Sequence, residues 1–191
     1  LCSTSRRGSF FRAMLTIPGP SRSKINTILL DLNLYMHYCA LMHSSNESKH
    51  TLIIDAHPDP ESFSSAIART SLETLGPNNA KILELRDLNF DLSLRYGYRK
   101  RMDLEEDLQQ AQHLISGARH LILVTPVWWG SVPALLKGFL DRVLLPGFGF
   151  RYRKNSALWD KLLKGRSAQV YITMDSPYWW FRYVYKNPAI N

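Results

Sequence analysis

Two short segments of the chain bring together side chains that could hold a charged, planar ligand. The first is Ala56-His57-Pro58-Asp59-Pro60-Glu61-Ser62-Phe63-Ser64-Ser65, where an imidazole and three hydroxyls stand at the start of a helical pattern. A helix N-terminus presents free backbone N–H groups and the positive end of a dipole, so it can bind a phosphate. Ser62 would serve equally well as a plain helix cap and His57 as a strand end. Neither a G-x-G-x-x-G fingerprint nor a P-loop is present, so this is not one of the familiar glycine-rich phosphate cradles. The second segment is Thr125-Pro126-Val127-Trp128-Trp129-Gly130-Ser131-Val132-Pro133. Two adjacent indoles beside a glycine are costly to leave in water, and each seeks a large apolar partner and an N–H acceptor. A planar ring would supply the first, with backbone N–H groups near Gly130 for its polar edge. The competing expectation is that Trp128 and Trp129 cover the core or a dimer interface.

No Ser-His-Asp or Cys-His set suggests a side-chain nucleophile. The two cysteines, Cys2 and Cys39, lie outside any metal or redox spacing. They argue against a disulfide scaffold and a metal site, and fit a reducing, cytoplasmic compartment.

The elements that must position these loops alternate regularly from Thr51 onward. Thr51 to Ala56 reads as a strand buried on both faces. Phe63 to Leu75 has helical spacing, with Phe63, Ile67, Leu72 and Leu75 inward. Lys81 to Leu85 is a second strand, and Asp87 to Arg101 a long loop. Asp103 opens a helix with Glu106 three residues on, the spacing of a capping box, and Gly117 closes it. His120 to Thr125 is a third strand, Pro133 to Leu144 a helix, and Ala168 to Thr173 a fourth strand. Alternation of this kind predicts an α/β fold, a doubly wound parallel sheet with helices on both faces. Ligands of such sheets bind beyond the carboxyl ends of the strands, where both loops fall. A final helix and edge strand are not visible, and Tyr183 to Asn191 at most begins a helix. A truncated domain is therefore expected.

Residues 1–48 read differently. Leu1 to Lys24 is rich in Ser and Arg, and Pro18, Gly19 and Pro20 break any helix. This stretch is expected to be an N-terminal extension outside the core, with 49–191 forming the ligand-binding domain, and residues before Met42 are expected to be dispensable. At 191 residues, with 45% hydrophobic and 21% charged residues, the chain can bury a substantial core. Its formal net charge is +8. Basic residues such as Arg95, Arg99, Lys100 and Arg101 are followed at once by Asp103, Glu105, Glu106 and Asp107, which reads as a solvated loop before a helix and not as a nucleic-acid surface. No apolar run is long enough for a transmembrane helix.

The run from Pro126 to Val143, PVWWGSVPALLKGFLDRV, continuing in Pro146-Gly147-Phe148-Gly149-Phe150, resembles the signature of the NAD(P)H:quinone oxidoreductase family. That family includes the DT-diaphorases and the bacterial modulator-of-drug-activity flavoproteins. The likeness spans about Thr51 to Asn191, and His57 with Ser62-Phe63 resembles the family's phosphate loop. It implies a flavodoxin-like fold, a bound flavin (FMN or FAD), and homodimers whose active sites lie at the subunit interface. Carried over by position, His57, Ser62, Phe63 and Ser64 hold the phosphate end. Pro126, Val127, Trp128, Trp129 and Gly130 frame the ring, and Thr173 joins the set from the fourth strand. Ser64 stands where the family usually has Asn. Thr173-Met174-Asp175-Ser176-Pro177 replaces the Thr-Gly-Gly stretch of the animal enzymes, so their catalytic Tyr and His are not transferred and a bacterial-type enzyme is implied.

The expected activity is two-electron hydride transfer from NAD(P)H through bound flavin to a quinone-like acceptor. The cofactor supplies the chemistry and the protein the positioning. A flavin-binding regulatory subunit of a membrane transport system, like the ancillary proteins of glutathione-gated potassium efflux, is the alternative. An electron-carrier flavodoxin ranks below both, because such proteins have an acidic surface and a glycine in the phosphate loop.

Overall fold

The computed structural model describes residues 10–16, 50–154 and 157–184. Expectations for Cys2, Cys39, Met42 and the chain after 184 lie outside these residues. The described strands are β1 (Phe10–Thr16), β2 (Thr51–Asp55), β3 (Ala80–Glu84), β4 (His120–Pro126), β5 (Phe150–Tyr152), β6 (Trp159–Lys161) and β7 (Ser167–Met174). The helices are α1 (Phe63–Leu75), α2 (Glu106–Gly117), α3 (Ala134–Val143) and the short α4 (Tyr178–Tyr183), with a 3₁₀ turn at Leu85–Asp87.

Five strands form one parallel sheet in the order β1-β7-β4-β2-β3. From β2 the chain winds first to β3 on one side and then to β4 on the other. The switch point of the winding therefore lies between β2 and β4, which pair from Thr51↔His120 to Asp55↔Val124.

Alternation along the strands sorts the core into two layers. Leu52, Ile54 and Ala56 face a cluster containing Leu108, Ala111 and Ile115 of α2 and Leu136, Phe139 and Val143 of α3. Ile53, Ile122, Val124 and Tyr171 face Ile67 and Ala68 of α1. The sheet is thus covered on both faces, which is why β2 needs a nearly continuous apolar run. Among the described residues, no helix is long and apolar enough to cross a membrane.

Four elements differ from the sequence reading. Residues 10–16, within the segment expected to stand apart, form an edge strand beside β7, in register from Phe10↔Ala168 to Thr16↔Met174. An open strand edge accepts any extended segment that reaches it, so backbone pairing here needs no sequence signature. The antiparallel hairpin β5–β6 stands in a stretch that carried no strand signal, its three-residue strands being too short to show alternation. Helix α4 begins at Tyr178, ahead of the helix start read at Tyr183. Helix α2 begins at Glu106, and its cap, Glu105, makes no side-chain cap bond, so the capping box read at Asp103 does not form.

The reason for that last difference is Arg142. Its side chain is fully buried under the loop that precedes α2. One guanidinium nitrogen donates to the Asp91 carbonyl (2.5 Å) and Glu105 Oε1 (3.1 Å), the other to the Asp103 carbonyl (3.1 Å) and Glu105 Oε2 (2.7 Å). Arg142 thereby takes the Glu105 carboxylate and the Asp103 backbone, and fastens the loop from Leu88 to Glu105 onto α3. The same loop approaches α3 at Gly138, where a Cβ would lie 2.8 Å from the Leu92 carbonyl oxygen. Glycine is required there by space, in the middle of a helix that would otherwise favour alanine.

Burial works to raise the Glu105 pKa, but backbone N–H groups at Glu105 and Asp91 and the Arg142 guanidinium together hold it below the ordinary value. The stabilisation is therefore complete above the unfolded pKa of about 4.3 and is lost as pH falls through the lower folded value. Glu105→Gln is expected to cost about 1–3 kcal/mol at neutral pH. In urea titrations that gap should narrow steadily below about pH 4. Gly138→Ala is expected to lower the urea midpoint by an amount equivalent to about 1–3 kcal/mol.

Candidate active site

Both candidate loops lie at the carboxyl ends of adjacent strands, astride the switch point. The first turns out of β2 into α1 through a chain of local hydrogen bonds. The His57 N–H donates to Asp55 Oδ1 (3.1 Å), the Asp59 N–H to His57 Nδ1 (3.0 Å) and the Glu61 N–H to Asp59 Oδ1 (2.9 Å). Ser62 caps α1 by accepting from the Ser65 N–H (3.1 Å). The N–H groups of Phe63 and Ser64 lie too early in the helix for an acceptor four residues back, and they remain donors for a ligand.

The three serines have separate tasks. Ser62 is half-buried and occupied as the cap. Ser64 is buried, its hydroxyl 2.7 Å from that of Thr173. Ser65 is fully buried and donates to the Asp59 carbonyl (3.0 Å). Thr173, from the end of β7, also accepts the Val127 N–H through its carbonyl (2.9 Å). It therefore joins the start of α1 to the loop after β4. His57 accepts at Nδ1, so in the neutral ring the proton sits on Nε2, a donor for whatever lies beyond the loop.

The second loop is a tight turn. The Trp128 N–H donates to the Ser131 carbonyl (2.9 Å) and the Ser131 N–H to the Trp128 carbonyl (3.0 Å). Between them Trp129 has φ +53° and Gly130 φ +76°. Two successive positive φ values define a type I′ turn, which glycine adopts freely and a bulky aromatic residue does not. The strain is local, and its effect is to hold the Trp129 indole wholly in solvent (101% exposed). Trp128 is less exposed and meets the His57 ring edge-on, centroids 5.5 Å apart. The two indoles thus diverge, one closing against the first loop and one projecting outward. Pro126 is buried at the end of β4, and Val127 packs against Ile172 and Met174.

Beneath the first loop lies a charged cluster that sequence reasoning did not assemble. Asp55 is fully buried at the end of β2 and sits in register with Glu84 at the end of β3. Arg86, from the 3₁₀ turn after β3, donates from one nitrogen to Asp55 Oδ2 (2.7 Å), the His57 carbonyl (3.2 Å) and Ser65 Oγ (3.1 Å). Its other nitrogen pairs with Glu84. Burial disfavours the Arg86 cation, but the Asp55 carboxylate, with Glu84 and Asp87 beside it, raises its pKa overall. The available signal was faint: a basic residue directly after a strand that ends in an acid.

Comparison with known proteins fits this geometry. Residues 49–187 match the family described as having a flavodoxin-like fold, and the chain belongs to that family. It is 37% identical over 132 residues to a Haemophilus influenzae protein named as an uncharacterized NAD(P)H oxidoreductase, covering 65% of this chain and 64% of that one. It is 28% identical over 149 residues to mouse ribosyldihydronicotinamide dehydrogenase [quinone], covering 65% and 63% respectively. The chain thus spans slightly less than two thirds of the length of these relatives. Among solved structures, an NAD(P)H:quinone oxidoreductase from Methanothermobacter marburgensis superposes with a TM-score of 0.58 at 25% identity, over 69% of this chain and 70% of that one.

Positive φ at Trp129 costs on the order of 1 kcal/mol that an asparagine, tolerant of this backbone region, would avoid. Trp129→Asn is expected to raise the unfolding free energy by about that amount in chemical denaturation. A loss of stability would show that the indole makes a compensating contact.

Proposed function

We propose that this protein is a flavin-dependent NAD(P)H oxidoreductase that reduces quinones or similar acceptors. The observation that carries the reading is the meeting of two loops across the switch point. An N-terminal helix turn with free N–H groups lies in contact, through His57 and Trp128, with a tryptophan turn held open by strained backbone. FMN or FAD suits this pairing because it joins an anionic phosphate to a flat, amphipathic ring, and each loop offers what one end needs.

The phosphate end would meet the N–H groups of Phe63 and Ser64 and His57 Nε2, with Ser62 capping the helix turn that presents them. The ring would lie along Pro126, Val127, Trp128, Trp129 and Gly130, with Thr173 tying the two loops together. When bound, the flavin supplies hydride acceptance and two-electron transfer. The protein's part is to bind, orient and exclude water. The helix dipole and N–H groups neutralise phosphate charge. The Gly130 backbone can approach the ring without a side chain in the way. The projecting Trp129 indole offers a face on which nicotinamide and acceptor alternate. No step requires a side-chain nucleophile.

Exposed Tyr98, Tyr152, Leu158 and Trp159 around the β5–β6 hairpin support a homodimer that would cover them. A cytoplasmic setting, with NAD(P)H at hand, suits the activity.

The test is kinetic. Trp129→Ala should keep its flavin while kcat/KM falls about threefold to tenfold for both NAD(P)H and quinone, the worth of one stacking contact. Stopped-flow reduction by NAD(P)H should show the loss in the first half-reaction. Wild-type protein whose flavin is reduced no faster than free flavin would remove the enzyme reading and favour a flavin-binding regulatory subunit.

A further inference from the structure

The cluster under the first loop has a geometry that the fold alone does not demand. Asp55 closes a strand whose other residues are Thr51, Leu52, Ile53 and Ile54, and it points to the same face as the core residue Ile53. A fully buried carboxylate there is a liability that an apolar side chain would avoid, since buried ion pairs are often no more stabilising than hydrophobic residues of similar size. In return, the pair grips one residue twice. Asp55 Oδ1 accepts the His57 N–H (3.1 Å), while the Arg86 guanidinium that pairs with Asp55 Oδ2 donates to the His57 carbonyl (3.2 Å). Both peptide groups flanking the His57 Cα are therefore fixed by one ion pair. The same guanidinium nitrogen reaches Ser65 Oγ (3.1 Å), which in turn donates to the Asp59 carbonyl (3.0 Å) and accepts from Ser62 Oγ (3.1 Å). His57, Asp59, Ser62 and Ser65 are thus all tied, directly or through one intermediary, to Arg86.

We infer that Arg86 and Asp55 are positioning residues for phosphate recognition: their ion pair sets the backbone of the His57–Ser65 loop so that its N–H groups and the His57 ring converge on a ligand phosphate. Arg86 does not itself contact the phosphate, because its charge is spent on Asp55 and Glu84. A lysine is a poor replacement, since its single nitrogen cannot hold the Asp55 side of the cluster and also reach Glu84, which Arg86 meets with its second nitrogen. This inference rests on the flavin reading. Its consequence is selective: affinity for a phosphorylated flavin depends on the pair, whereas affinity for the bare ring system, read by the tryptophan turn, does not.

The test is a comparison of FMN and riboflavin binding by equilibrium titration of the full chain. It uses the wild type, Arg86→Lys, and the double variant Asp55→Leu/Arg86→Met, which removes the fully buried carboxylate together with its partner and leaves only the part-exposed Glu84 unpaired. The double variant should fold with a melting temperature at or above that of the wild type and bind riboflavin equally well. Its FMN affinity should fall roughly tenfold or more, the equivalent of losing well-aimed hydrogen bonds to a charged group. Arg86→Lys should fall between the two. A double variant that keeps the wild-type preference for FMN over riboflavin would overturn the inference while leaving the flavin reading intact. A double variant that cannot fold would also overturn it, by making the pair a requirement of the fold. Wild-type protein that takes up none of FMN, riboflavin and FAD would overturn both.

Discussion

The constraint on which this structure turns is electrostatic: two carboxylates, Asp55 and Glu84, stand side by side in register at the ends of neighbouring strands, one of them fully buried. Left alone they would repel each other and one would have to be neutralised. Arg86 resolves the conflict and, in doing so, joins the end of β3 to the loop after β2. The loop's turns, its helix cap and the orientation of His57 follow from that junction. The rest of the sheet edge is organised by neutral contacts: Thr173 bridges α1 and the loop after β4, and Trp128 closes against His57.

A second arginine does corresponding work on the opposite face. Arg142 holds the loop between β3 and α2 against α3, where Gly138 admits close contact. In both cases a guanidinium shapes a loop through several carbonyl and carboxylate acceptors at once, a task suited to its planar fork of donors. The core layers of Leu, Ile, Val and Ala fix where the strands and helices lie. These two arginines fix how the intervening loops leave them.

Much of this was legible in the sequence because it depends on local pattern. The apolar run Thr51 to Ala56 and the spacing of Phe63, Ile67, Leu72 and Leu75 locate β2 and α1 closely. The pairing of a hydroxyl-bearing helix start with Trp-Trp-Gly placed both loops at one sheet edge, where they are found. What was not legible depends on partners distant in the chain. The role of Arg86 requires knowing that β2 and β3 pair with Asp55 opposite Glu84. The Asp103–Glu106 cap signal failed because Arg142, far along the chain, binds the Glu105 side chain and the Asp103 backbone. The edge strand at Phe10–Thr16 is backbone pairing without a periodic signature, and the hairpin strands are too short to alternate visibly. That Trp128 turns toward His57 while Trp129 turns away depends on positive φ values that the residue types, Gly130 apart, do not announce.

If the two loops form one flavin site, a flavin bound there lies within reach of both tryptophans. Titrating FMN into the protein while following tryptophan emission tests it most directly, because Trp128 and Trp129 would lie against the bound ring and lose their fluorescence to it. The expected result is quenching that saturates at one flavin per chain and that shrinks markedly when both tryptophans are replaced by phenylalanine. No quenching with either FMN or FAD, or quenching that the double replacement leaves unchanged, would contradict it.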